Sequence, residues 1–123
     1  MLELKRHASG DARHRGGRTG NCPIADFIDE LQPKLKAKAL HDLDLLAEFG
    51  NRLSMPYSKS MGNGLFELRV TQSNNAARIF YFFMQGKNIV ITNGFIKKMQ
   101  KTSASELAKA LEYKQDYQAR NMP

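Results

Sequence analysis

Five cations in this chain fall where a polyanion can be gripped. Lys97, Lys98 and Lys101 crowd the stretch NGFIKKMQKTSASEL, which runs from Asn93 to Leu107 with no acidic residue before Glu106. Ser103 and Glu106 have the spacing of a capping box, so the lysines stand just before a predicted helix start. Three cations beside the unpaired N–H groups of a helix N-terminus suit phosphate. For any one of these lysines a solvated turn is the plain alternative. Arg78 opens the apolar run RIFYFF, where a solitary cation is unexpected. Arg69 sits in ELRV, on the strand face opposite Phe66, Leu68 and Val70. A planar guanidinium holds phosphate oxygens through two parallel bonds and keeps its charge. The competing readings are an arginine that snorkels to water from a strand end and, for Arg69, a surface pair with Glu67 or a cross-strand acid.

Other chemistry has less to stand on. Phe95 precedes the lysines and is either a platform for a nucleobase or a core phenylalanine closing a strand. Tyr81 and Phe83 read as core, and Tyr113 and Tyr117, four apart, as helix packing. His7, His14 and His41 form no H-x-x-x-H pair, so no metal is expected. Ser54, Ser58, Ser60 and Cys22 belong to no nucleophile motif.

These groups need a scaffold, and the composition supplies an ordinary one. The 123 residues suit a single domain, with residues 1–21 weakly structured. Lys and Arg outnumber Asp and Glu by 19 to 12, a formal +7 that favours anionic partners. A single cysteine excludes an internal disulfide and a thiolate metal cluster. No apolar run reaches the ~20 residues that span a bilayer. The start MLELKRHASGDARHRGG has no apolar signal-peptide core, so a cytoplasmic protein is expected.

MLELK alternates as a short edge strand would, and HASGDARHRGGRTGN reads as a loop. Ile24, Phe27, Ile28 and Leu31 have helical spacing after Pro23. A second helix starts at Pro33, with Leu35, Ala39, Leu43 and Leu46 on one face and Gly50 as its stop. MPYSKSMGNG is turn chemistry. LFELRVT, ARIFYFFMQ and NIVITNGF then form an antiparallel three-stranded meander. The middle strand is apolar enough to be covered on both faces. A helix from about Thr102 or Ser103 to Arg120 closes the chain.

The ordered trio LFELR, RIFYFF and GFIKKMQKT, with CPIADFIDEL and MPYSKSMGNGLFELRV before it, resembles the RelE/ParE toxin superfamily. The branch it resembles is that of the phage Gp49-like, HigB-type toxins, over about residues 22–120. The resemblance implies an α+β fold: a small, strongly curved antiparallel sheet with a basic concave face and helices packed on one side. It implies the toxin of a type II toxin–antitoxin system, an endoribonuclease that cuts mRNA in the ribosomal A site. The partners would be that mRNA and a cognate antitoxin, a small helix-turn-helix protein encoded next door. Carried onto this sequence, Arg69, Arg78, Lys98 and Lys101 would be catalytic, while Asn93, Phe95, Lys97 and Lys59 would contact RNA, with no cofactor. Two departures stand out: Asn93 occupies a turn position that often holds histidine, and Ser103 one that often holds proline. The other readings are a ParE-like gyrase inhibitor and an inactive member that only binds partners.

Overall fold

A computed structural model describes residues 2–5, 13–15, 23–84, 88–98 and 102–121. The order is β1 (Leu2–Lys5), β2 (Arg13–Arg15), α1 (Pro23–Asp29), α2 (Pro33–Phe49), a 3-10 turn (Gly50–Arg52), β3 (Ser58–Gly62), β4 (Leu65–Gln72), β5 (Asn75–Met84), β6 (Asn88–Ile96) and α3 (Ala104–Asn121). The strands form one antiparallel sheet in the order β2-β1-β6-β5-β4-β3. The α+β arrangement expected from the sequence is the one observed, a curved antiparallel sheet with two N-terminal helices and one C-terminal helix.

Two segments read as turn or loop are strands. Ser58–Gly62 pairs with β4, leaving a turn at residues 55–57 before it and the two-residue hairpin turn Asn63-Gly64 after it. Both turn residues have positive φ (54° and 76°), as a two-residue hairpin of matching twist requires. Arg13–Arg15 pairs with β1, setting Glu3 opposite Arg15. Three polar residues in a row have no apolar alternation, so nothing local announces this strand.

The helices do not share one side of the sheet, which corrects the expectation carried by the family resemblance. α1 and α2 cover the face formed by Leu68, Val70, Ala77, Ile79, Tyr81, Ile89 and Ile91. α3 covers the other, where Ala110, Leu107 and Leu111 meet Leu65, Phe80, Phe82 and Val90. That is why RIFYFF is apolar at consecutive positions: odd residues face α1 and α2, even ones face α3. The predicted stripe of α2, Leu35, Ala39, Leu43 and Leu46, is buried throughout. Removing each leucine there from water contributes about 1.5–3 kcal/mol.

Two local features aim the sheet's far end. Between Ile79 and Tyr81 the β5–β6 register shifts, because Thr92 and Asn93 on β6 together oppose Phe80. Such a bulge adds twist and redirects the strand beyond it. Past the bulge, α1 rests directly on Gly94. A Cβ there would lie 2.8 Å from the Phe27 ring and 2.9 Å from the Arg78 carbonyl oxygen. Only glycine permits that approach. Among the described residues no helix is long and apolar enough to cross a membrane.

Candidate functional site

Antiparallel pairing assembles a row across three strands: Arg69 of β4 stands opposite Arg78 of β5, and Arg78 opposite Phe95 of β6. One step along the sheet, Lys59 of β3 stands opposite Glu67 of β4. Alternation puts all five side chains on the α3 side of the sheet. Arg69, Arg78, Phe95 and Lys59, drawn from four separate stretches of sequence, are therefore brought together.

Like charges directly opposed on a ladder repel. Glu67, diagonal to Arg78 and only 2% exposed, is what makes the pairing tolerable. Its Oε1 lies 3.8 Å from Arg78 Nε and 4.0 Å from Arg69 Nε. Its Oε2 accepts a 2.7 Å hydrogen bond from the Thr102 hydroxyl, at the approach to α3. Arg78 is 5% exposed. One of its terminal nitrogens donates to the Ala77 carbonyl at 3.1 Å, while Nε is buried and has no hydrogen-bond partner among the described residues. Burial, and then the neighbouring Arg69, push the Arg78 pKa below the ordinary arginine value, with Glu67 opposing. A nearly buried guanidinium with an unsatisfied N–H is costly to a fold and useful to an anion-binding site. Arg69 is held from the strand edge: its backbone N–H donates to the Tyr57 carbonyl at 2.7 Å, and its side chain reaches Met55 Sδ at 3.6 Å.

The lysine run divides. β6 ends at Ile96, yet the Lys97 N–H still donates to the Ala76 carbonyl at 2.9 Å, so strand geometry persists one residue further. Lys97 falls on the arginine side. Loss of hydration lowers its pKa most, Arg78 next, with smaller contributions from Arg69 and Lys59 and an opposing one from Glu67. Lys98 points the other way and lines a cavity of about 370 Å³ with Phe27, Glu30, Leu31, Leu35 and Ile96. The structure does not bring Lys98 to the arginines. Lys101 lies outside the described residues, as do His7 and Cys22.

Asn93 and Phe95 are tied into the fold. Asn93 is buried, and its amide donates to both the backbone and the side chain of Glu106, at 3.1 and 3.0 Å. Ser103 Oγ caps the Glu106 N–H at 3.3 Å. Glu106 itself turns to Asn93, so only half of the predicted capping box forms. Phe95 is half-buried with its ring 5.9 Å from that of Phe80. Tyr81 is buried beside a short hydroxyl contact with Ser58, and burial raises its pKa. Among the described residues no three His, Cys, Asp or Glu side chains gather as a metal would require.

Glu67 and Thr102 are the site residues that sequence reasoning passed over. Glu67 had a signal: an acid in LFELR shares a strand face with Leu65 and Arg69, where an apolar residue is the default. Thr102 had none, because its link to Glu67 spans 35 positions.

No curated protein matches the chain. The family described as phage-derived protein Gp49-like (DUF891) matches residues 26–115, a span that contains α2, the four strands β3 to β6, both arginines, Glu67, Lys97 and Thr102. The chain belongs to this family, that of the RelE/HigB-type toxins.

Proposed function

We propose that this protein is a ribosome-dependent, metal-independent mRNA endonuclease, the toxin of a type II toxin–antitoxin system acting in the cytoplasm. Family membership indicates a toxin with a cognate antitoxin. The observation that carries the nuclease reading is Arg78, nearly buried, opposite a second arginine, with one N–H unpaired among the described residues. A surface used only for protein binding has no need of a desolvated guanidinium.

The chemistry follows from the row. The 2′-hydroxyl of the substrate gives up its proton to solvent water and attacks the adjacent phosphorus in line, and the bond from phosphorus to the 5′-oxygen breaks. A 2′,3′-cyclic phosphate and a 5′-hydroxyl end result. Charge grows on the non-bridging oxygens in between, where preorganised donors act with most effect. Arg78 donates to those oxygens, and Arg69 fixes the phosphate from the next strand. Lys97, whose ammonium releases its proton more readily than an ordinary lysine, protonates the departing 5′-oxygen. Lys59 draws in the flanking backbone. Phe95 sets the floor beside Arg78, Asn93 holds α3 in register with β6, and the partner antitoxin is a small helix-turn-helix protein.

Primer extension on a reporter mRNA in reconstituted translation tests the reading, with wild type and Arg78→Lys side by side and ribosomes present or omitted. New 5′ ends that need both ribosomes and Arg78 are the expected result. Intact mRNA with the wild-type protein overturns the mechanism.

A further inference from the structure

Glu67 presents a problem that the nuclease reading leaves open. A buried carboxylate beside two arginines ought to close on one of them, yet it stays 3.8 Å from Arg78 Nε and 4.0 Å from Arg69 Nε. Neither distance is a hydrogen bond, and charged pairs of this type settle at about 2.7–2.9 Å when unrestrained. Among the described residues the one short contact Glu67 makes is with Thr102, at 2.7 Å through its other oxygen. Thr102 is itself held in place, because the neighbouring Ser103 caps α3 and α3 is pinned to β6 through Asn93 and Glu106. The carboxylate is thus pulled to the α3 side of the site, and Arg78 Nε is left unsatisfied.

We propose that Thr102 is a positioning residue: its hydroxyl holds the Glu67 carboxylate off Arg78, so that the buried guanidinium is not neutralised and keeps its charge for a phosphodiester. Glu67 remains near enough to offset the repulsion between the arginines and too far to quench either. Without the Thr102 hydroxyl the carboxylate swings onto Arg78 Nε and quenches the charge that a phosphate would meet. The inference rests on the arginine row as a phosphate site.

The test separates this from cleavage. The probe is a 5′-fluorescein-labelled, 2′-O-methylated hexauridylate, which cannot be cut, and its binding is read by fluorescence anisotropy without ribosomes. Thr102→Val, nearly isosteric, should weaken binding about ten-fold, the lower end of what one competing charge-assisted contact is worth. Thr102→Ser should restore it to within about two-fold of wild type. In a Glu67→Gln background, Thr102→Val should change binding by less than about two-fold, because no carboxylate remains to swing. Thermal midpoints are recorded for each variant. Unchanged binding in Thr102→Val overturns the proposal, and so does a loss that persists undiminished in the Glu67→Gln background, the mark of general loosening. Failure of the wild type to bind the probe also overturns it. The expected binding pattern in all five proteins, alongside intact reporter mRNA with the wild type, would sink the nuclease reading and leave the role of Thr102 standing.

Discussion

Among the described residues two carboxylates are almost wholly buried, and they are treated in opposite ways. Asp42, on α2, has no exposed surface. Lys38, one turn earlier, donates to both of its oxygens at 2.9 and 2.8 Å, and His41 Nδ1 lies 3.2 Å from one of them. Lys38 is braced in turn over the Tyr57 ring, 5.7 Å from its centre. Glu67 faces two cations and has a hydrogen bond with neither. Where pairing is complete, the buried charge fastens one element to its surroundings. Where it is left incomplete in a low-dielectric place, stabilisation is withheld that only an outside group can supply. The contrast separates a fastening from a site more sharply than burial or charge alone.

The comparison breaks most visibly at Arg78. Lysine there keeps a positive charge beside Glu67 but loses the planar fork. Cleavage should fall by about 10²–10³-fold, the cost of one transition-state donor, with the thermal midpoint little moved. Alanine is a blunter probe, since it strands a buried carboxylate. A single-turnover cleavage assay beside a melting curve distinguishes the two. At the other carboxylate the pattern should reverse. Lys38→Met leaves Asp42 buried with only the exposed His41 for company, and should cost about 2–3 kcal/mol of stability in a denaturant titration. Affinity for RNA, measured well below the melting point, should not change. If Lys38→Met weakens RNA binding while stability holds, Asp42 is not a fastening.

How far the sequence foretold these two sites follows from the range over which each is built. The Asp42 side is local. Its helix, its apolar stripe and its stop are written in one continuous period, and Leu35, Ala39, Leu43 and Leu46 are buried as read. The arginine row is written in ladder register, which no stretch of sequence contains. Arg69 and Arg78 were noticed as misplaced cations, but that they face each other depends on the two-residue turn at Ser73-Asn74. Glu67 was visible only as a possible surface partner for Arg69. The lysine run reads as one patch when its strand is expected to stop at Phe95. One more residue of pairing sends Lys97 and Lys98 to opposite faces. β2 and β3 escaped notice because their partners, not their composition, make them strands.

A smaller effect tests the charge of Lys97 beside the arginine row. Its pKa is lowered, first by loss of hydration and then by Arg78. Between that lowered value and the ordinary lysine value near 10.5, the folded protein binds fewer protons than the unfolded chain. Stability therefore gains from rising pH through that window, and the penalty of holding the ammonium in place is fully present below it. RNA affinity should move the other way and decline as Lys97 discharges. Lys97→Arg keeps its charge and should hold affinity across the window, as anisotropy titrations at stepped pH would reveal. A decline shared by both proteins would assign the titration elsewhere.

The smallest effect is the most direct comparison, because it sets neighbours against each other. Lys97 and Lys98 have the same charge and adjacent positions, and nearly any long-range electrostatic account treats them alike. Salt dependence does not. Each phosphate neutralised on a single strand steepens the slope of log affinity against log salt by about 0.7, and only a cation in contact with the strand counts. Lys97 lies on the arginine face, while Lys98 borders the cavity under α1. Lys97→Ala should therefore flatten the slope by about 0.7, and Lys98→Ala should leave it unchanged although both variants lose one unit of net charge. Equal flattening by the two would mean that RNA wraps the sheet edge and touches both faces. The arginine row would then be one end of a longer track, and the sheet face would no longer define the site.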